Sequence, residues 1–181
     1  MKGIVFTEFL DIVEEKIGPE QLEELIAASS LPNAGAYTSV GTYDHAEILR
    51  MVEQLSLVTG VDRPRLLVAF GEQLFHRLAA AHPQFFAGLQ DAFALLSRVG
   101  PHIHHEVLKL YPEAELPSIE TFRLDSRRLE LNYRSSRPFG DLAEGLIRGC
   151  INHFKVPMNL TREDLSVSAG HSVRFTISVA D

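Results

Sequence analysis

The chain has little cysteine, no long apolar run and no excess of positive charge, and each deficit excludes a class of protein. Cys150 is the one cysteine among 181 residues, which excludes an internal disulfide or a cysteine-rich zinc site and suits a reducing cytoplasm. No apolar run approaches the roughly 20 residues that span a bilayer, and the acidic, amphipathic N-terminal segment has no small-residue cleavage site. We therefore expect neither export nor a membrane anchor.

The charge and composition exclude two further classes. A net charge of −7 argues against nucleic-acid binding, which needs clustered Lys and Arg on one face. No segment is of low complexity, and 45% of the residues are hydrophobic, enough for a folded core. We expect a single domain over residues 1–181.

The first two thirds of the sequence predict helices, because apolar residues recur at three- and four-residue steps between Pro and Gly breaks. The predicted helices span Gly3–Ile17, Pro19–Ser29, Asp44–Thr59, residues 66–81, Asp91–Val99 and Pro101–Leu110.

After Pro112 the period changes from helical to alternating, which is typical of half-buried antiparallel strands. Phe122, Leu124, Leu129, Leu131 and Tyr133 alternate with polar residues around a predicted hairpin turn at residues 125–128. A helix at residues 141–154 then precedes two short predicted strands, DLSVSA (164–169) and VRFTISV (173–179). The predicted class is α+β: a helical N-terminal part, then a small antiparallel sheet of about four strands with one inserted helix.

One predicted strand continues an apolar face with polar residues. The two-residue period places Leu129, Leu131, Tyr133, Ser135 and Arg137 on the same face. Buried hydroxyl and guanidinium groups require acceptors, and a bound carboxylate would supply them, since the planar guanidinium of Arg pairs with carboxylates. The alternative is a strand that simply leaves the core at Ser135.

The second notable feature is a histidine cluster in the last predicted helix before the strands. Helical geometry places His102, His105 and Glu106 on one face and His104 among apolar residues on another. His104 is either a metal ligand or a satisfied core residue. The other three residues are either a surface metal site or an inert solvated face.

These features together resemble the H-NOX (haem-nitric oxide/oxygen binding) family, which includes the haem domain of soluble guanylate cyclase. The resemblance lies in three segments: MKGIVFTEF at the N-terminus, HHEVLKLYPEAELP at residues 104–117, and Y-x-S-x-R at residues 133–137. It extends over essentially the whole chain and is specific because of the spacing between the segments.

The resemblance implies a haem b buried between the helical part and the sheet, with particular residues around it. His104 would be the proximal iron ligand, and Tyr133, Ser135 and Arg137 would bind the propionates. Pro117 would lie beneath the haem and distort it. The distal pocket would be lined by Val5, Phe9, Leu74, Leu142 and Leu146.

The same resemblance implies a sensor of nitric oxide that also binds CO, and not an enzyme. Oxygen-binding members carry a distal tyrosine at the position that is Leu142 here, so selectivity for NO is expected. NO binding would break the iron–His104 bond and let the haem relax against Pro117. The signal would pass to a separate partner, either a histidine kinase or a diguanylate cyclase or phosphodiesterase.

Two alternatives remain open at this point. The first is an O2 or haem-redox sensor of the same fold, with Gln73 or Tyr43 as a distal hydrogen-bond donor. The second is a metal-dependent enzyme built on His102, His105 and Glu106. An apolar-ligand module that has lost its haem is disfavoured by the intact set of His104 and the Y-x-S-x-R residues.

Overall fold

The computed structural model describes residues 1–165 and 170–180. Within them the chain forms helices α1–α7, a single 3-10 turn, a π-helical segment and strands β1–β4. The helices are α1 (Gly3–Ile17), α2 (Pro19–Ala28), α3 (His45–Thr59), α4 (Arg63–Ala81), α5 (Ala92–Arg98), α6 (His105–Leu110) and α7 (Gly140–Phe154). The 3-10 turn is Pro83–Phe86 and the π-helical segment is Val99–His104. The strands are β1 (Ser118–Arg123), β2 (Arg128–Ser135), β3 (Met158–Asp164) and β4 (His171–Val179).

The chain divides into two compact units, residues 1–70 and residues 71–181. The first unit contains α1, α2 and α3, whose apolar faces meet around Phe6, Phe9, Leu25 and Met51, all at most 2% exposed. Local signals fix the ends of these helices. For example, the Asp44 side chain accepts a hydrogen bond from the Ala46 N–H at the start of α3.

The second unit contains an antiparallel sheet in the order β1-β2-β4-β3. Helices α5 and α7 pack together, and α7 also packs on β4. The core between them contains Leu129 and Leu131 of β2, Phe175 and Ile177 of β4, and Cys150 of α7. The predicted α+β architecture is therefore confirmed.

The strands differ from the prediction in two places. The third strand is Met158–Asp164, earlier than the predicted DLSVSA segment, whose residues 166–169 lie outside the described residues. Phe122 and Leu124 were predicted to be half-buried core residues, but each is 49% exposed. Strand β1 lies at the edge of the sheet and ends at Arg123, so the alternating pattern does not bury these two side chains.

The predicted helix from Pro101 to Leu110 was also wrong in its geometry. The chain instead forms a π-helical turn at Val99–His104 that continues into α6. Proline lacks the N–H that an α-helix needs and its ring clashes with the carbonyl four residues earlier, and a wider turn relieves both problems. The segment around Pro101 thus leaves α-helical geometry immediately before His104.

Candidate functional site

The Y-x-S-x-R residues lie at the end of the central strand β2. Tyr133 is 4% exposed, and its register partners are Ile119 on β1 and Val173 on β4. The strand ends at Ser135, so Arg137 follows the strand and does not continue its face as predicted. A turn still returns Arg137 to the site, because its backbone N–H donates to the Ser135 hydroxyl at 3.0 Å.

The three side chains form one connected polar group. The hydroxyls of Tyr133 and Ser135 share a hydrogen bond, and the charge of Arg137 acts on Tyr133. Burial raises the pKa of Tyr133, and the Ser135 hydrogen bond and the Arg137 charge only partly oppose this effect. Tyr133 therefore keeps its proton at neutral pH and remains a hydrogen-bond donor.

The guanidinium of Arg137 already binds a carboxylate within the chain. It forms an ion pair with Glu115, whose side chain is 74% exposed, whereas that of Arg137 is 14% exposed. The pair shows that this half-buried guanidinium is placed to receive a carboxylate, which is the chemistry of a haem propionate. The donor set therefore fits the implied group.

His104 ends the π-helical segment and differs from its histidine neighbours. It is partly buried, whereas His102 and His105 are exposed. Its ring donates a hydrogen bond to the backbone of Pro117, which has only a carbonyl to offer. Burial lowers the pKa of His104 despite this hydrogen bond, so the imidazole is neutral at pH 7.

A neutral imidazole with one nitrogen bonded to a carbonyl leaves its other nitrogen as a lone-pair donor. This is the arrangement that metal-ligating histidines adopt, since the second hydrogen bond fixes the ring and its tautomer. Of the candidate residues in the cluster, His104 thus has the geometry of an iron ligand.

The proposed surface metal site has no such geometry. The carboxylate of Glu106 accepts a hydrogen bond from the Lys109 ammonium at 2.6 Å. Across residues 1–165 and 170–180, no three His, Cys, Asp or Glu side chains are grouped so as to hold a metal ion. His102, His105 and Glu106 are therefore an exposed, solvated face.

The residues expected in a distal pocket fall in both units. In the second unit, Leu74 and Leu142 are buried and Leu146 is partly buried. Their helices α4 and α7 approach closely, because a Cβ built on Gly71 would lie 2.5 Å from the Leu142 carbonyl oxygen. In the first unit, Val5 and Phe9 lie on α1, and the Phe9 ring packs edge-on against Phe70 at 5.1 Å.

Neither alternative distal donor lies in an environment that suits this role. Gln73 is exposed. The Tyr43 hydroxyl accepts from the Thr38 N–H at 2.9 Å, and its ring packs against Phe6 and Tyr37 in the first unit. Tyr43 thus stabilises the loop that precedes α3.

Comparison with known proteins decides the family. The Haem-NO-binding family model matches residues 2–162. This chain belongs to the H-NOX family. No curated protein sequence matches it significantly.

Solved H-NOX structures are similar over the whole chain. The unliganded Fe(II) H-NOX protein of K. algicida is 36% identical, with a TM-score of 0.91, over 100% of this chain and 97% of that one. The IWP-051-bound H-NOX of Shewanella woodyi, solved in the Fe(II)CO state, is 40% identical with a TM-score of 0.84, over 99% and 95% of the two chains. The Fe(II) H-NOX of S. oneidensis is 28% identical with a TM-score of 0.89, over 100% and 97%.

Membership of the family establishes the general role of the chain. H-NOX domains are haem-binding sensors of gases such as NO and CO and are not enzymes. The alternative of a metal-dependent enzyme is therefore wrong. Within the described part of the chain, none of the helices is long and apolar enough to cross a membrane.

Sequence reasoning missed two features of the site. The Glu115–Arg137 ion pair joins residues 22 positions apart, and no local pattern marks Glu115. The π-helical turn had a visible signal, because Pro101 lies inside a predicted helix, but that signal was read as a helix start.

Proposed function

We propose that this H-NOX domain is a nitric-oxide sensor that binds haem b over its whole length of residues 1–181. His104 holds the iron, and Tyr133, Ser135 and Arg137 bind the propionates. Pro117 lies beneath the haem. The hydrogen bond from the His104 ring to the Pro117 carbonyl is the observation that carries the proposal, because it singles out one histidine of three as a neutral, oriented ligand.

Haem b would supply a ferrous iron that binds NO or CO and whose bond to the opposite ligand weakens when NO binds. The chain controls the opposite side of that bond. The Pro117 carbonyl orients the His104 ring, and the partly buried position of the ring keeps it unprotonated. When the bond breaks, the segment that contains His104 is released and can change its packing.

Selectivity for NO over O2 is proposed from the distal residues. Bound O2 is polar and needs a hydrogen-bond donor, whereas NO binds ferrous iron with little help. Leu142 takes the position of the distal tyrosine of oxygen-binding relatives, and it is buried and apolar. Leu74 is also buried, and Phe9 and Val5 add no donor.

The output is proposed to pass to a separate cytoplasmic protein, either a histidine kinase or a cyclic-di-GMP enzyme. Helix α6 directly follows His104, so release of the ligand acts first on this helix. It bears Leu110, which is 75% exposed.

Absorption spectroscopy tests the proposed function. The purified haem-loaded chain is reduced under argon, exposed briefly to air, and then treated with NO. We expect a five-coordinate ferrous spectrum that air leaves unchanged and that NO shifts to that of a complex without histidine. A stable oxygenated spectrum would replace the NO sensor with an O2 sensor, and failure of the His104→Gly variant to resemble the NO-bound form would refute the role of His104.

A further inference from the structure

The segment that contains His104 is held against β1 at two backbone carbonyls. The first contact is the hydrogen bond from the His104 ring to the Pro117 carbonyl, directly before β1 begins. The second is at Gly100, where a Cβ would lie 2.4 Å from the Ile119 carbonyl oxygen. The two carbonyls are two residues apart in sequence, so the π-helical segment and the start of β1 run together as a pair.

The contact at Gly100 depends on the absence of a side chain. A separation of 2.4 Å is well inside any real carbon–oxygen contact, and a backbone carbonyl in a sheet cannot rotate away as a flexible side chain would. The backbone of Gly100 is not in the left-handed region, so its conformation is open to alanine. Space, and not conformation, therefore requires glycine here.

The contact also connects the two parts of the proposed haem site. Ile119 is the register partner of Tyr133 in the β1–β2 pair. The Gly100 backbone thus lies against the strand residue that is paired with the buried tyrosine of the Y-x-S-x-R group. Any outward movement of the π-helical segment changes the position of His104 relative to that group.

The π-helical geometry of residues 99–104 contributes to the same arrangement. Pro101 lies within this turn, and an α-helical turn would place Gly100 and His104 at different angles because each residue advances by about 100° in an α-helix and less in a π-helix. π-helical turns are rare and occur often at functional sites. Here the turn brings both Gly100 and His104 to β1.

We propose that Gly100 is a positioning residue for His104. By allowing the π-helical segment to rest directly on the Ile119 carbonyl, it sets the distance and tilt of the His104 ring relative to the iron, and so the strength of the bond that NO binding must break. This inference rests on the proposed role of His104 as the iron ligand.

The test compares three variants of the haem-loaded ferrous protein by resonance Raman spectroscopy of the iron–histidine stretching band. Gly100→Ala forces the segment away from β1 and should move the band to lower frequency. Pro101→Ala adds nothing against β1 but favours α-helical spacing, and it should also move the band. His102→Ala, exposed in the same turn, is the matched control and should leave the band in place.

A second reading separates positioning from general loss of packing. The hyperfine-shifted ring N–H proton of His104 in the ferrous protein reports its hydrogen bond to Pro117, and it should shift with the Raman band in Gly100→Ala. Thermal unfolding of each variant measures stability alone. Pro101→Ala keeps the test informative if Gly100→Ala does not fold, since alanine is a better helix former than proline.

The outcomes distinguish the two proposals. If the iron–histidine band is absent from the unsubstituted protein, the role of His104 in the proposed function fails. If that band is present but moves in neither Gly100→Ala nor Pro101→Ala, or moves equally in His102→Ala, Gly100 has no positioning role even if stability falls.

Discussion

Replacement of Arg137 tests the proposed propionate contact most directly. The Arg137→Met variant keeps most of the side-chain length and removes the charge. The Arg137 side chain is only 14% exposed, so its contact with a propionate would be largely shielded from water. A hydrogen bond to a charged group contributes about 1.5–3 kcal/mol, and since about 1.4 kcal/mol is a factor of ten, haem should dissociate roughly 10- to 150-fold faster.

The same strand offers a matched control. Arg134 is 62% exposed and lies 3.8 Å from Glu120 in a surface ion pair, which contributes about 0–1 kcal/mol at most. Arg134→Met removes the same charge three residues away and should leave haem dissociation within about twofold. Neither substitution should alter overall stability greatly, because Glu115, the partner of Arg137 within the chain, is itself 74% exposed.

Haem transfer to an excess of apomyoglobin, followed by absorbance, measures the dissociation rates, and thermal unfolding checks the fold. Equal rates for Arg137→Met and Arg134→Met, with both proteins folded, would refute the propionate role of Arg137. A loss confined to Arg137→Met would support the fit between its guanidinium and a carboxylate.

Three further predictions concern the rest of the chain. Leu131→Ala should lower the free energy of unfolding in urea by about 2–5 kcal/mol, because Leu131 is 2% exposed, whereas Phe122→Ala at a site 49% exposed should cost clearly less, and equal losses would contradict this core. The Tyr37 hydroxyl donates to the buried Glu47 at 2.7 Å, and burial and that carboxylate raise the pKa of Tyr37. The stability gained from this tyrosine is therefore present below pH of about 10 and declines above it, so Tyr37→Phe should be less stable at neutral pH with a shallower alkaline decline, and an unchanged pH profile would count against the contact. Burial raises the pKa of Cys150 to about 12, so iodoacetamide at pH 8 should label it at least a hundredfold more slowly in the native than in the urea-unfolded protein, and comparable rates would show that the thiol is accessible.

Local signals in the sequence determined most of the helices and the class of fold. Apolar periodicity and breaking residues marked α1, α2 and α3 to within a residue or two, because helix ends depend on nearby groups such as the Asp44 carboxylate and Gly60. The alternation of Leu129, Leu131 and Tyr133 correctly placed them on the buried face of β2.

The sequence also separated His104 from its neighbours before any coordinates were considered. Angular spacing placed it on the apolar side of the segment, and the resemblance to H-NOX proteins named it as the iron ligand. Its partial burial agrees with that placement, and its role at the iron stays a prediction until a spectrum is measured.

Tertiary structure alone decided the contacts between distant segments. The position of β3 follows from its pairing with β4 and from Arg162, which binds Asp141 and Glu144 in the first turns of α7, and none of these partners is near in sequence. Likewise, only the packing on β1 explains why residue 100 is glycine and why the turn at Pro101 widens, since the Ile119 carbonyl that excludes a side chain lies 19 positions further along the chain. Periodicity records which face a residue presents, but it carries no information about which distant backbone that face will meet.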